Sequence, residues 1–147
     1  MSIKIKMLSI TVLCAGTLKE KYLKDACAEY QKRLGAYCRL KINELKDGTP
    51  MLPYISKSAF NIALCIEGKE LSSEELAKLI SDTAVAGKSE ICFVIGESDG
   101  LPESVKAACD LRLSFSKMTF PHQLMRVILL EQVYRSFTII NGGKYHK

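Results

Sequence analysis

Ile91-Cys92-Phe93-Val94-Ile95-Gly96-Glu97-Ser98-Asp99-Gly100 is the stretch that decides the fold. Its first five residues form the strongest buried-strand signal in the chain, an uninterrupted apolar run of the kind found in parallel strands covered on both faces. The next five, with a glycine at each end, read as a loop whose backbone can approach a ligand closely. That loop matches neither G-x-G-x-x-G nor a P-loop, so neither a dinucleotide nor a triphosphate site is supported, and a plain turn is its commoner meaning.

Downstream, Pro102 suits a helix start because its missing N–H would lack a partner there anyway. Leu111 to Phe115 reads as a short strand, Ser116 to Pro121 as a loop, and His122 to Phe137 as the last long helix, followed by a polar tail ending Gly142-Gly143-Lys144-Tyr145-His146-Lys147. Upstream, Phe60 to Ile66 reads as a strand buried on both faces, ended by Glu67-Gly68. Ser72-Ser73-Glu74-Glu75 has the capping-box pattern, and a helix to about Ala86 follows. A further strand is expected over Cys38 to Leu45, before Asp47-Gly48-Thr49-Pro50 and Pro53 interrupt regular structure.

The N-terminal MSIKIKMLSITVLCAG places lysines before an apolar stretch, as a secretory signal does. Ile3 and Ile5 alternate with Lys4 and Lys6, however, so a buried strand is the preferred reading. After the turn Ala15-Gly16-Thr17, a helix from about Leu18 to Leu34 sets Leu23, Ala26, Cys27, Tyr30 and Leu34 on one face. Lys19, Lys21, Lys24, Lys32 and Arg33 coat the rest.

Strands alternating with helices imply one α/β domain over residues 1–147, with a mainly parallel sheet and helices on both faces. In such sheets ligands bind beyond the carboxyl ends of the strands, which points to the loops after Ile66, Ile95 and Phe115. The composition is 48% hydrophobic and 25% charged, as in ordinary globular chains. The net charge of +5 leaves a nucleic-acid partner and a merely solvated surface both open. Six scattered cysteines without a C-x-x-C or a nearby histidine suggest reduced thiols in the cytosol, and no metal site. No run reaches the ~18 apolar residues of a membrane span.

The helix from His122 is apolar around most of its circumference, which calls for cover from a partner chain or a central place in its own subunit. Glu131 and Arg135 stand four apart and can pair. Arg126 lies in the first turns, where the helix dipole gives a cation no reason to be, and is the better anion-binding candidate. His122 is a residue type suited to acid and base work, but after Pro121 it is as easily a helix-start residue. Tyr145 and His146 sit in a tail where burial would not require them, as groups that close over a site can.

Taken together, ITVLCAGTLKEKYLKDACAEYQKRL (10–34), ALCIEGKELSSEELA (63–77), FVIGESDGL (93–101), LSFSKMTFPHQLMRVILLEQVYRSF (113–137) and the final YHK resemble the ribosomal RNA large-subunit methyltransferase H family over nearly the whole chain. The resemblance implies a SPOUT-type fold with a C-terminal trefoil knot, a homodimer, S-adenosylmethionine as cofactor, and N3 of a pseudouridine in 23S rRNA of the assembled ribosome as target. Matched motif by motif, it implies cofactor contacts at Leu64, Gly96, Ser116, Lys117, Met118, Thr119, Phe120 and Pro121. Tyr145 and His146 are then expected at the substrate, with Arg126 and Arg135 steering phosphate. Glu97 departs from the family, which usually has a second glycine there, and the segment after Lys46 is shorter than usual. A noncatalytic RNA-binding dimer with a degenerate cofactor site, and a small-molecule α/β enzyme, are the rival readings.

Overall fold

The computed structural model describes residues 7–147. The alternation of Ile3 and Ile5 with Lys4 and Lys6 lies outside them. The elements run β1 (Ser9–Ala15), α1 (Lys21–Leu34), β2 (Arg39–Leu45), a short 3-10 turn (Leu52–Tyr54), β3 (Phe60–Glu70), α2 (Ser73–Val85), β4 (Glu90–Ile95), α3 (Glu103–Ala107), β5 (Leu111–Ser114) and α4 (His122–Ile140).

All five strands are parallel neighbours in the order β2-β1-β4-β3-β5. The apolar run that announced the fold occupies the middle strand, and Ile91 to Ile95 are all buried. Period-two alternation then divides the core. Ile10, Val12, Cys14, Ile62, Phe93 and Ile95 face α1, α2 and α4, while Leu13, Ala15, Ala63, Cys92 and Val94 face Leu101, Met51 and Val105. Helices therefore cover both faces unequally, with three long ones on the first and only short α3 and the 3-10 turn on the second.

Helix α4 packs against both α1 and α2. Its Leu129, Leu130, Val133 and Phe137 are buried, and Phe137 stacks on Tyr37 with ring centres 5.9 Å apart. In this half the central-helix reading holds. Nearer its start, Leu124 is exposed, and Met125 and Ile128 are half-buried. The capping box of α2 forms as expected: Glu75 N–H donates to Ser72 Oγ at 3.0 Å, and Ser72 N–H donates to Glu75 Oε1 at 2.8 Å.

Two boundaries differ from expectation in an informative way. Helix α1 begins at Lys21, because Thr17, Leu18 and Lys19 are held by other partners described below. Strand β3 does not end at Glu67-Gly68 but continues to Glu70, since Leu64 and Lys69 both register against Leu113 and the residues between them bulge out. A Cβ on Gly68 would lie 2.7 Å from backbone atoms of Arg112 and Leu113. Gly68 is thus where two chain segments touch, a use of glycine that from sequence looks the same as a strand stop.

The six cysteines are free thiols. Burial pushes Cys38 and Cys92 up to about 12. Among the described residues no group of His, Cys, Asp and Glu could hold a metal ion, and no helix is long and apolar enough to cross a membrane.

Candidate active site

The carboxyl ends of β3, β4 and β5 enclose a hollow of about 330 Å³. Leu64, Gly96, Ser116, Met118, Thr119 and Phe120 all line it, whereas Lys117 and Pro121 belong to the same loop without facing in. Local hydrogen bonds shape that loop. Ser114 Oγ donates to the Ser116 carbonyl at 2.9 Å, and Met118 N–H donates to Ser116 Oγ at 3.0 Å. The loop after β4 folds back on itself, with Gly100 N–H donating to the Glu97 carbonyl at 2.8 Å and Gly100 at φ +89°. A Cβ on Gly96 would lie 2.7 Å from the Gly100 carbonyl carbon, so a side chain there would force this turn open.

Glu97, the departure from the family pattern, stands at the rim. Its Oε1 accepts the Gly48 N–H at 3.3 Å, which ties it to the neighbouring turn. Sequence reasoning missed the opposite rim. There Lys106 of α3 pairs with Glu67 of the β3 bulge and lies 3.9 Å from Glu103, which in turn accepts from Arg112 at 2.7 Å. The Lys106 ammonium holds the Glu67 carboxyl below its usual range. Phe115, His122 and Met125 complete the wall. Lys106 and Glu67 carry no motif, and only the bulge in β3 brings them together.

The four residues expected at the substrate do not converge in one place. Arg126 is corrected: it is not a surface group for phosphate. Its side chain is 1% exposed, paired through Nη1 with Glu44, and Nη2 donates to the Gly16 carbonyl at 3.1 Å. The same carboxylate accepts Leu18 N–H at 3.1 Å, while Gln123 accepts Lys19 N–H and donates to the Thr17 carbonyl, each at 3.3 Å. This network fastens the β1–α1 turn and the end of β2 to the start of α4, and it is why α1 starts late. The cation that looked out of place beside a helix N-terminus is there for Glu44.

Tyr145, His146 and Arg135 do converge, roughly 20 Å along the α4 axis from His122. Arg135 Nη2 donates to Glu131 Oε2 at 2.5 Å, and Tyr145 Oη donates to the same oxygen at 2.7 Å. The guanidinium lies 4.9 Å from the centre of the Tyr145 ring, close enough for a cation–π contact. Arg135 Nη1 stands 3.0 Å from His146 Nδ1, and His146 Nε2 is 3.3 Å from Glu74. Because Arg135 has only hydrogens to offer, Nδ1 must be the acceptor, which puts the ring proton on Nε2 facing the Glu74 carboxylate. Burial, reinforced by Glu131, pushes the Tyr145 phenol up. Burial also acts to raise Glu131, but hydrogen bonds from Arg135 and Tyr145 outweigh it, and its carboxyl lies below the usual range.

Residues 8–146 match the protein family described as "Predicted SPOUT methyltransferase". The chain is also 48% identical, over 159 aligned positions, to the ribosomal RNA large subunit methyltransferase H of Clostridioides difficile, covering 95% of this chain and 100% of that one. The chain belongs to the ribosomal RNA large subunit methyltransferase H family of SPOUT methyltransferases. Solved structures share the SPOUT methyltransferase fold. The tRNA (m1G37) methyltransferase of Aquifex aeolicus superposes with a TM-score of 0.55 at 15% identity, over 96% of this chain and 75% of that one. A SpoU methyltransferase of Streptomyces viridochromogenes in complex with AdoMet gives 0.51 at 9%, over 93% and 62%.

Proposed function

We propose that this chain transfers a methyl group from S-adenosylmethionine to N3 of a pseudouridine in 23S rRNA, on the assembled ribosome in the cytoplasm, and that it works as a homodimer. The observation that carries the reading is the meeting of six family-matched residues in one hollow at the carboxyl ends of three parallel strands. The hollow fits such a cofactor. Its volume is within the range of about 300–1,000 Å³ typical of small-molecule sites, its lining is apolar at Leu64, Ile95 and Leu101, and, with Glu67 neutralised by Lys106, the Asp99 carboxylate is of the sign to suit a sulfonium. Glu97 adds another carboxylate, and with its Oε1 on the Gly48 amide it is held to a neighbouring turn. That geometry favours a working site over the noncatalytic alternative.

When bound, the cofactor supplies an activated methyl group. The chain's part is to place it, exclude water and deal with the imide proton, effects worth roughly 7–11 kcal/mol for positioning and 10²–10⁴-fold for a base. Leu64, Gly96 and the 116–121 loop hold the cofactor in this reading. Tyr145, whose hydroxyl stays protonated and donates to Glu131, positions and is not the base. His146 has the tail's available lone pair, at Nδ1, once Arg135 turns toward RNA phosphate. In the protomer the tail groups satisfy one another away from the hollow, and dimerisation through the open first half of α4 is the proposed way of bringing tail and hollow together. The same reading makes the close passage of Gly68 against β5 part of a trefoil knot.

Tritiated methyl transfer to ribosomes from a strain lacking the equivalent enzyme tests the reading, beside calorimetry with S-adenosylmethionine. Incorporation into 23S rRNA at the N3 position is expected. Ribosome binding without detectable cofactor binding at millimolar concentration would overturn it.

A further inference from the structure

We propose that a second, smaller hollow of about 240 Å³, between the start of α2 and the middle of α4, is the seat of the acceptor base, and that Gln132 reads the base there. This rests on the methyl-transfer reading above and names the part of the site that selects the substrate.

Three observations point to a base. The two hollows adjoin, because Leu113, Ser114, Phe115 and Phe120 line both. The smaller one falls below the volume of drug-sized sites and suits one ring, as expected where an enzyme takes a base out of its stack into a close pocket. Its lining also joins two half-buried aromatic side chains, Phe115 and Phe120, to polar groups at Ser73 and Gln132.

The Gln132 amide is placed to read an edge. Its Oε1 accepts from Ser73 Oγ at 2.7 Å, and its Nε2 donates to Glu131 Oε1 at 3.0 Å. A side-chain amide has two N–H donors and two acceptor lone pairs, so one of each remains. An adjacent donor and acceptor match a base edge that offers N–H beside C=O. With N3 reserved for the incoming methyl, pseudouridine still presents N1–H next to C2=O. Uridine has no second N–H to offer, because its N1 carries the ribose. One amide in this place therefore recognises the pyrimidine and separates pseudouridine from uridine.

Gln132 also ties α2 to α4, so the test must separate reading from bracing. Gln132→Met removes the amide; Ser73→Ala breaks the same interhelix bond and leaves the amide. Both proteins are assayed for S-adenosylmethionine affinity by calorimetry, and for methyl transfer to two ribosome preparations carrying either pseudouridine or uridine at the target. Gln132→Met is expected to keep wild-type cofactor affinity, to lose about 10- to 100-fold of transfer to pseudouridine, and to narrow the preference for pseudouridine over uridine. Ser73→Ala is expected to lose only a few-fold. Wild-type transfer by Gln132→Met, equal losses in the two variants, or weakened cofactor binding in Gln132→Met would each overturn the assignment. Absence of transfer by the wild-type protein would instead remove the methyl-transfer reading itself.

Discussion

The two ends of α4 carry arginines nine residues apart, and the surroundings give them opposite work. Arg126 is 1% exposed and bound to groups that cannot leave: the Glu44 side chain, which Leu18 also holds, and a backbone carbonyl. Arg135 is 25% exposed, and its partners are all side chains: Glu131, His146 and the Tyr145 ring. A buried guanidinium has given up its water and costs several kcal/mol if a partner is removed. One that is a quarter exposed and held by side chains alone keeps part of its water and is the freer of the two to exchange partners. In the proposed reading the first end of the helix holds position beside the loop that lines the hollow, and the second changes partners when RNA arrives.

The largest expected effect is at the fixed end. Arg126→Met should lower stability by about 3 kcal/mol, the lower limit for breaking a buried pair, because Glu44 is 35% exposed and can regain water. Urea unfolding reads it, and a loss below about 1 kcal/mol would erase the contrast between the two ends. The exchangeable end should behave in the opposite way. Tyr145→Phe combined with His146→Ala should cut methyl transfer by about 100-fold, roughly 2.7 kcal/mol of transition-state stabilisation, with cofactor affinity kept and unfolding shifted by less than about 1 kcal/mol. Normal transfer by that variant would remove the tail from the substrate.

The same contrast explains what could be read from the residues. Strand β4 was legible because five apolar residues with no polar partner to seek have one stable place in a covered sheet. The capping box was legible because its two hydrogen bonds are local, closing over residues 72 to 75. The hollow could be located because loops at strand ends are a property of the sheet. Arg126 was misread because its partner, Glu44, is 82 residues away on another strand, and nothing local distinguishes a buried arginine from an exposed one. Gly68 looks like a strand end because its reason, the close approach of Arg112 and Leu113, exists only in three dimensions.

A smaller effect tests the platform on which the tail rests. Ser72→Ala removes the hydroxyl that caps α2, two residues before the Glu74 that faces His146, and should cost about 1 kcal/mol in urea unfolding. If the tail draws on that platform, transfer should fall by a few-fold in this variant as well, while Lys78→Ala, which breaks an exposed pair further along α2, should leave transfer unchanged.

The smallest effect concerns the carboxylate that gathers the exchangeable end. Glu131 titrates below 4.5 in the folded chain because Arg135 and Tyr145 donate to it against the opposing pull of burial. A group whose folded value is depressed adds stability that is complete above the unfolded value and is lost as pH falls through the folded one. Wild-type stability should therefore decline as pH falls below about 4.5, and the decline should be shallower in Arg135→Gln, where the main donor is gone. Unfolding measured from pH 6 to pH 3 should show the two proteins furthest apart at the upper end and converging at the lower. A constant gap would mean that Arg135 acts through packing on the Tyr145 ring, and that this end of the helix is held by a contact that does not titrate and is harder for RNA phosphate to displace.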